Sequence, residues 1–330
     1  MDRFLTAIER KAEGYLTRRK QKKLYYKEKR KGIFWEIYSW LDALVFAVFW
    51  VIIINQYLFQ FFLIPSPSMV STLNVGDRVA VIKNAYGYEL YPAGKKVLTL
   101  NRRVERDDII TFYNPEYDSK GPVFDLMSQI IFMGTLSLVN IDKNPDGTVA
   151  ERLYVKRAVG FPYDEIKFIE GDVYIKPSGF SSFISEDEFR RENNLEDGIK
   201  RSVDKNLYPA LDAYSALLAY DELGLLNYAP QYLLTRYSAL ESIGYVFDQY
   251  QGESSKARMA YLLSPHDSGK RSAYSSYERG IYVPEDHVLP LGDNRDNSRD
   301  GRYFGPVSES SINGKVVFRF WPLSSISRIR

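Results

Sequence analysis

No cysteine occurs among the 330 residues. That excludes disulfides and any thiol nucleophile, and with them sortase-like and papain-like chemistry. Histidine is nearly as scarce. His266 and His287 stand in no metal-ligand spacing and beside no matching Ser and Asp motifs, so neither a metal centre nor a Ser-His-Asp triad is supported. Both read as ordinary surface or loop residues. Internal repeats are also missing. Acidic and basic residues nearly balance, but unevenly along the chain. The first 32 residues carry twelve Lys or Arg against Asp2, Glu9, Glu13 and Glu28, a net of +8 in a chain of +2, so the remainder is about −6. Basic charge confined to one terminal arm argues against a nucleic-acid-binding body. With 45% hydrophobic and 26% charged residues, the rest is long enough to bury one or two ordinary cores.

What the chain does have is a long apolar run. Leu41 to Leu63 reads LDALVFAVFWVIIINQYLFQFFL, roughly 35 Å as a helix and enough to cross a hydrocarbon core. Asp42 sits at its start and Asn55, Gln56 and Gln60 in its second half. The basic residues before it place the N-terminus in the cytoplasm and everything after residue 63 outside the cytoplasmic membrane. The basic region and apolar core are both too long for a cleaved secretory signal, and no Ala-x-Ala site follows, so the expectation is an uncleaved single-pass anchor in a lipid bilayer. A second apolar stretch, Leu126 to Val139, is only 14 residues and too short to span. It is expected in the core, with a loop packed on the membrane surface as the other reading.

Beyond the anchor, alternation and turn residues predict short strands at Asp77–Ile82, Asp108–Tyr113, Ala150–Val159, Gly171–Ile175, His287–Leu291 and Gly314–Phe320. Many such runs between Gly, Pro and Asp turns indicate a mainly β domain. Residues 185 to 263 differ, with apolar and aromatic residues three and four apart in Leu207–Leu218 and Tyr232–Leu240, the mark of amphipathic helices. Ser264 to Tyr277 reads as a flexible exit linker. The expected organisation is a basic arm (1–35), an anchor (36–63), a β-rich catalytic domain (64–176 and 281–330) and a largely α-helical insertion (177–280). Two acidic turns, beginning at Asp142 and Asp296, imitate the first half of a calcium loop but end on Leu153 and Val307 where a bidentate Glu is needed. No metal or cofactor is implied.

Three motifs carry the chemistry. Ile64-Pro65-Ser66-Pro67-Ser68-Met69 follows the apolar run, Val155-Lys156-Arg157-Ala158-Val159-Gly160 lies in the third predicted strand, and Gly292-Asp293-Asn294-Arg295-Asp296-Asn297-Ser298-Arg299-Asp300-Gly301-Arg302 stands near the end. With histidine scarce, lysine is the natural base for a serine nucleophile, provided that burial depresses its pKa. Strand alternation sets Lys156 with Tyr154 and Ala158 on one face and Arg157 on the other, so that one basic side chain points inward while its neighbour stays solvated. Pro67 restricts Ser66 to an extended conformation. Together, and in this order, the motifs resemble the conserved boxes of signal peptidase I, over somewhat under half of the chain.

That resemblance implies a membrane-anchored serine endopeptidase acting on signal-peptide-bearing precursor proteins. It implies Ser68 as nucleophile and Lys156 as general base. Ser66 would lend a hydroxyl to the oxyanion hole beside the Ser68 N–H, Ser298 would hydrogen-bond and position the lysine, and Asp300 and Arg302 would pair in support. For the Ser68 and Lys156 motifs to meet, the 126–139 stretch must not cross the bilayer. Ser71 departs from the family's usual proline, and the 177–280 insertion carries no family expectation. The alternatives are a LexA-like Ser-Lys autoprotease, which the apolar anchor disfavours, and a non-enzymatic membrane-tethered interaction protein on the same scaffold.

Overall fold

The computed structural model describes residues 2–29, 33–89, 96–98, 103–135, 138–195, 199–241 and 248–329. Two compact units emerge, residues 1–53 and 54–330. The first holds helix α1 (Asp2–Lys29) and most of helix α2 (Ile33–Tyr57). α2 is apolar on all sides, with an 18-residue window of mean hydropathy 2.2 that no protein covers, and it is long enough to cross a membrane. It begins and ends earlier than the expected Leu41–Leu63. Asn55 and Gln56 are buried in the second unit, where Gln56 Nε2 donates to Glu89 O at 3.1 Å. The last residues of the apolar run form a strand instead.

The strands are β1 (Phe59–Leu63), β2 (Arg78–Ile82), β3 (Tyr88–Glu89), β4 (Lys96–Leu98), β5 (Ile109–Tyr113), β6 (Leu153–Gly160) and β7 (Glu165–Ile169). There follow β8 (Asp172–Lys176), β9 (Ile184–Ser185), β10 (Ile281–Tyr282), β11 (His287–Leu291), β12 (Val307–Ser308), β13 (Ile312–Trp321) and β14 (Ser327–Arg328). The main antiparallel sheet runs β1-β2-β13-β5-β6-β11-β12, with β14 on β13. A second sheet runs β10-β7-β8-β9, and β3 pairs with β4. Each of the six predicted strands overlaps one of these, and the mainly β fold stands.

β6 is the strand that positions the site. β5 pairs along it from Leu153 to Arg157, with Ile110 opposite Lys156, whereas β11 pairs only from Arg157 onward. The register of β11 shifts between Leu289 and Pro290, where a residue without an N–H is tolerated at a bulge. Both faces of β6 are covered. Ala158 packs with Ile110, Phe112 and Ile312, while Val159 packs with Ile166, Val283 and Leu289.

The helices are α3 (Pro122–Gly134), α4 (Glu186–Glu192), α5 (Tyr208–Glu222), α6 (Gln231–Glu241), α7 (Gln249–Leu263), α8 (Ser268–Arg279) and the short α9 (Gly301–Phe304). Ala213, Ala216, Leu217 and Leu233 form a small core of their own among α5 and α6. The stretch expected as a linker is largely α8. Asp267 caps it, accepting from the Gly269 and Lys270 N–H groups, and Tyr274 and Tyr277 dock it on Tyr261 and Tyr250 with ring centroids 5.3 Å apart in each pair. The expected core segment Leu126–Val139 is core only in part, with Met133 buried at 1%. It is α3 and its exit, with Leu126, Met127, Ile130, Leu138 and Val139 exposed and Ser128 and Gln129 buried; residues 136 and 137 lie outside the described part.

Candidate active site

Ser68 lies in a single 3-10 turn, Pro67–Met69, that directly follows β1. Pro67 at the head of the turn sets its entry, and Ser66 before it is extended at φ −127°, ψ 157°, as the sequence predicts. Met69 and Leu73 anchor the segment from below, packed with Val79, Val81 and Val316. The Ser68 hydroxyl is thereby held over β6, where Lys156 Nζ donates to Ser68 Oγ at 2.7 Å. Ser66 Oγ stands 3.4 Å from Ser68 Oγ.

Lys156 is 3% exposed. Burial pushes its ammonium down to about 8, against the opposing pull of Asp300, Glu151 and Asp293. The Tyr154 ring, two residues back on the same face, lies 5.2 Å from Nζ. Asp300 is fully buried. Burial works to raise its carboxyl, but the charge and hydrogen bonds of Arg302 prevail and hold it below the ordinary carboxylate value. Arg302 Nε meets Asp300 Oδ1 at 2.9 Å, and Asp300 Oδ2 accepts the Gly292 N–H at 2.9 Å. The two thus form the pair expected of them, closing the 292–302 loop on itself.

Ser298 departs from expectation. Its hydroxyl is buried and makes no hydrogen bond, to Lys156 or to any other described group. It lies against Gly292 instead, where a β-carbon would come 2.1 Å from Ser298 Oγ and 2.6 Å from the Ser68 carbonyl oxygen. Only glycine fits between the first and third motifs there. The third motif also grips the Pro67–Met69 turn directly. Asn294 N donates to Ser68 O at 3.0 Å and Asn294 Nδ2 to Pro67 O at 3.1 Å.

Arg157 is the clearest correction. It is buried rather than solvated, because the far face of β6 is covered too. Its Nε and Nη2 grip Asp293 at 2.7 Å each, Nη2 reaches Thr72 Oγ1 at 3.2 Å, and Thr72 donates to Asp293 at 2.5 Å. This node ties together all three motifs behind the dyad. Asp293, Asn294, Thr72 and Arg157 therefore support the site although sequence reasoning gave them no role. Two lie in the quoted Gly-Asp-Asn run, but only their partners reveal what they do. Arg295, 1% exposed, adds a buried pair with Glu186 of α4 at 2.6 Å. The acidic turns are likewise spoken for: Asp296 Oδ1 meets Arg201 at 2.9 Å and Asp142 Oδ2 meets Arg152 at 2.8 Å. Of the histidines, His266 is exposed. His287 is half-buried on β11 with Nδ1 2.8 Å from Glu285 O.

A sequence model of the family described as signal peptidase, peptidase S26, matches residues 37–321. Signal peptidase I of Buchnera aphidicola subsp. Acyrthosiphon pisum (strain APS) is 25% identical over 317 residues, spanning 89% of this chain and 77% of that protein. Signal peptidase I of Pseudomonas fluorescens is 25% identical over 295 residues, 86% of this chain and 72% of that protein. A shorter likeness joins the chain to mitochondrial inner membrane protease subunit 1 of Xenopus tropicalis, 45% identical over 53 residues, 16% of this chain and 32% of that protein.

Proposed function

The chain belongs to the signal peptidase family, peptidase S26, and is on that ground a serine peptidase; from this premise we propose that it removes N-terminal signal peptides from secreted precursors, with Ser68 as nucleophile and Lys156 as general base. One observation supports the assignment of the dyad, the 2.7 Å hydrogen bond from Lys156 Nζ to Ser68 Oγ between two buried side chains. In the reactive state the neutral Lys156 amine takes the Ser68 proton as Oγ attacks the scissile carbonyl carbon. The negative charge that develops on the carbonyl oxygen is met by the Ser68 N–H and the Ser66 hydroxyl. The lysine then gives its proton to the departing amine, leaving an acyl-enzyme. Water, deprotonated by the same lysine, releases the acyl group and restores both side chains. Asp300 and Arg302 compensate each other in the buried surroundings, and Ser298 fills the gap beside Gly292.

The substrate path follows from strand pairing. Because β11 covers β6 only from Arg157 onward, the Leu153–Val155 edge beside Ser68 is unpaired among the described strands. We assign this edge, with residues 64 to 66 opposite, as the place where an extended precursor adds as a strand. α2 crosses the bilayer, the basic arm stays in the cytoplasm and the β-rich part stands outside, so Ser68 meets chains as they leave the membrane. In this division residues 64–176 with 281–330 carry catalysis, and 177–280 buttress it through the Arg295–Glu186 and Arg201–Asp296 pairs.

The test is cleavage of a secretory precursor in detergent by the wild type, Ser68→Ala and Lys156→Met. Cutting at the signal-peptide junction by the wild type alone, with both variants folded and slowed at least ~10³-fold, is the expected result. Equal activity in all three proteins would sink the dyad.

A further inference from the structure

α3 is built inside out over most of its length, although Met133 near its end is buried at 1%. Val123, Leu126, Met127 and Ile130, at i, i+3, i+4 and i+7, form one stripe, and all four are exposed, Val123 by 72%. Ser128 and Gln129, on the opposite face, are buried at 3% and 4%, and Asp125 also turns toward the protein, meeting Arg152 Nη2 at 2.9 Å. A helix facing water has the reverse arrangement, and a continuous exposed apolar stripe marks a surface that something else covers.

The surroundings of α3 say what covers it. Asn55 Nδ2, in the last turn of α2, donates to Met133 O at the end of α3 at 3.4 Å. α3 therefore ends beside the last turn of the apolar helix. No charged side chain interrupts the stripe, and the exposed Leu138 and Val139 extend its apolar character beyond the helix. At 13 residues α3 is about 20 Å long, too short to cross a hydrocarbon core of about 30 Å, so it contacts lipid only by lying along the surface. We propose that the Val123–Leu126–Met127–Ile130 stripe lies in the face of the bilayer from which α2 emerges, a second contact with lipid that runs in the membrane plane. The inference rests on the reading of α2 as a bilayer span. In the interfacial helices of peripheral proteins the polar face looks to water; here it looks into the protein, where Asp125 accepts from Arg152 Nη2 and Tyr117 at 2.9 Å each and Ser128 donates back to Asp125 O. Two contacts at one end of the catalytic unit restrict how it tilts against the membrane, which a single flexible tether would not.

The absence of cysteine makes the test direct. Ile130→Cys, Phe46→Cys in α2 and Tyr228→Cys in the insertion, each exposed in the structure, are labelled singly with an environment-sensitive fluorophore in the full chain and reconstituted into phosphatidylcholine–phosphatidylglycerol vesicles. Quenching is compared between nitroxide-bearing lipids and aqueous iodide. Labels at Phe46 and Ile130 are expected to lose most of their emission to the lipid nitroxides and little to iodide, with Tyr228 showing the opposite. A Phe46 label in lipid beside an Ile130 label open to iodide overturns the inference and leaves the span intact. An Ile130 label shielded from both quenchers puts protein, such as a second copy, against the stripe and also overturns it. A Phe46 label open to iodide removes the span and the inference with it.

Discussion

A lysine is a base only while its amine is neutral, so with Lys156 as the proposed base its burial bears on both catalysis and stability. With its ammonium pushed down to about 8, kcat/KM on a peptide substrate is expected to rise with pH through that value as a single proton is lost. A profile that stays flat from acid to alkaline pH would exclude Lys156 as the base. The same shift has a stability counterpart. The folded pKa lies below the unfolded value near 10.5, so between about 8 and 10.5 the unfolded chain binds the extra proton and stability falls as pH is lowered through that window. Lys156→Met removes the buried charge and leaves Asp300 compensated by Arg302 and the Gly292 N–H. The variant is expected to be more stable than the wild type by about 1–3 kcal/mol at pH 7, the gain vanishing above pH ~10.5. Denaturant midpoints in detergent at the two pH values check this, and a destabilised variant at pH 7 would show that the lysine contributes packing that outweighs its charge. Ser66→Ala removes one oxyanion donor and is expected to lower kcat by roughly 10²–10³ with little change in KM; an unchanged kcat would restrict the hole to backbone donors.

At the scale of elements, the strands were legible because apolar and β-branched runs between turn residues persist in β2, β5, β6, β8, β11 and β13, with burial alternating in β2 and β8, and Ser68 and Lys156 stood out because their motifs are local. What alternation does not reveal is how many faces of a strand are covered. It put Lys156 and Arg157 on opposite sides correctly, but Arg157 is as buried as Lys156 because β6 has a core on each face. Composition misled at α8 for a related reason: Ser, Gly and Lys suggest a linker until Asp267 caps the helix and its tyrosines find rings to pack on. The stretch that forms α3 was expected as core or as a surface loop and not as a helix, because hydropathy alone says neither what the segment folds into nor which face meets protein. The junction of β11 with the third motif offers a sharp test of how elements build the site. Gly292→Ala places a methyl group 2.6 Å from the Ser68 carbonyl, which is backbone and cannot turn away, and 2.1 Å from Ser298 Oγ. The nucleophile turn must shift, and a misplacement near 1 Å is worth ~10²-fold in rate. Activity of Gly292→Ala is therefore expected to fall about 10²-fold while circular dichroism shows an intact β domain. Wild-type activity would mean that the turn moves freely, and that the Asn294 bonds to Pro67 and Ser68 do not set its position.

Across the whole molecule, charge and hydropathy divide the work. The net +8 of the first 32 residues precedes α2, and the remainder is about −6, so in the proposed topology the arm would resist translocation while the body carries no such excess. The catalytic motifs follow the helix closely. Only Leu58 separates α2 from β1, and Ser68 comes five residues after β1 ends, so if α2 is the proposed span, Ser68 lies close in sequence to the membrane exit. On the proposed reading, a dyad so near the anchor would serve precursors held in the same bilayer, and a reversed topology would turn it toward the wrong compartment. Orientation can therefore be tested apart from chemistry. In intact bacterial cells expressing the full chain, a cysteine at Tyr228 is expected to react with a membrane-impermeant maleimide, whereas one at Glu13 in the arm reacts only after the membrane is opened. Labelling of Glu13→Cys in intact cells would reverse the topology while leaving the Ser68–Lys156 geometry untouched. The arm's charge also predicts the cause: replacing Arg18, Arg19, Lys20, Lys22 and Lys23 together by Gln lowers the basic excess before the helix, and a fraction of chains is expected to label at residue 13 from outside. If that variant inserts as the wild type does, the orientation is set by the folding of the body rather than by the arm.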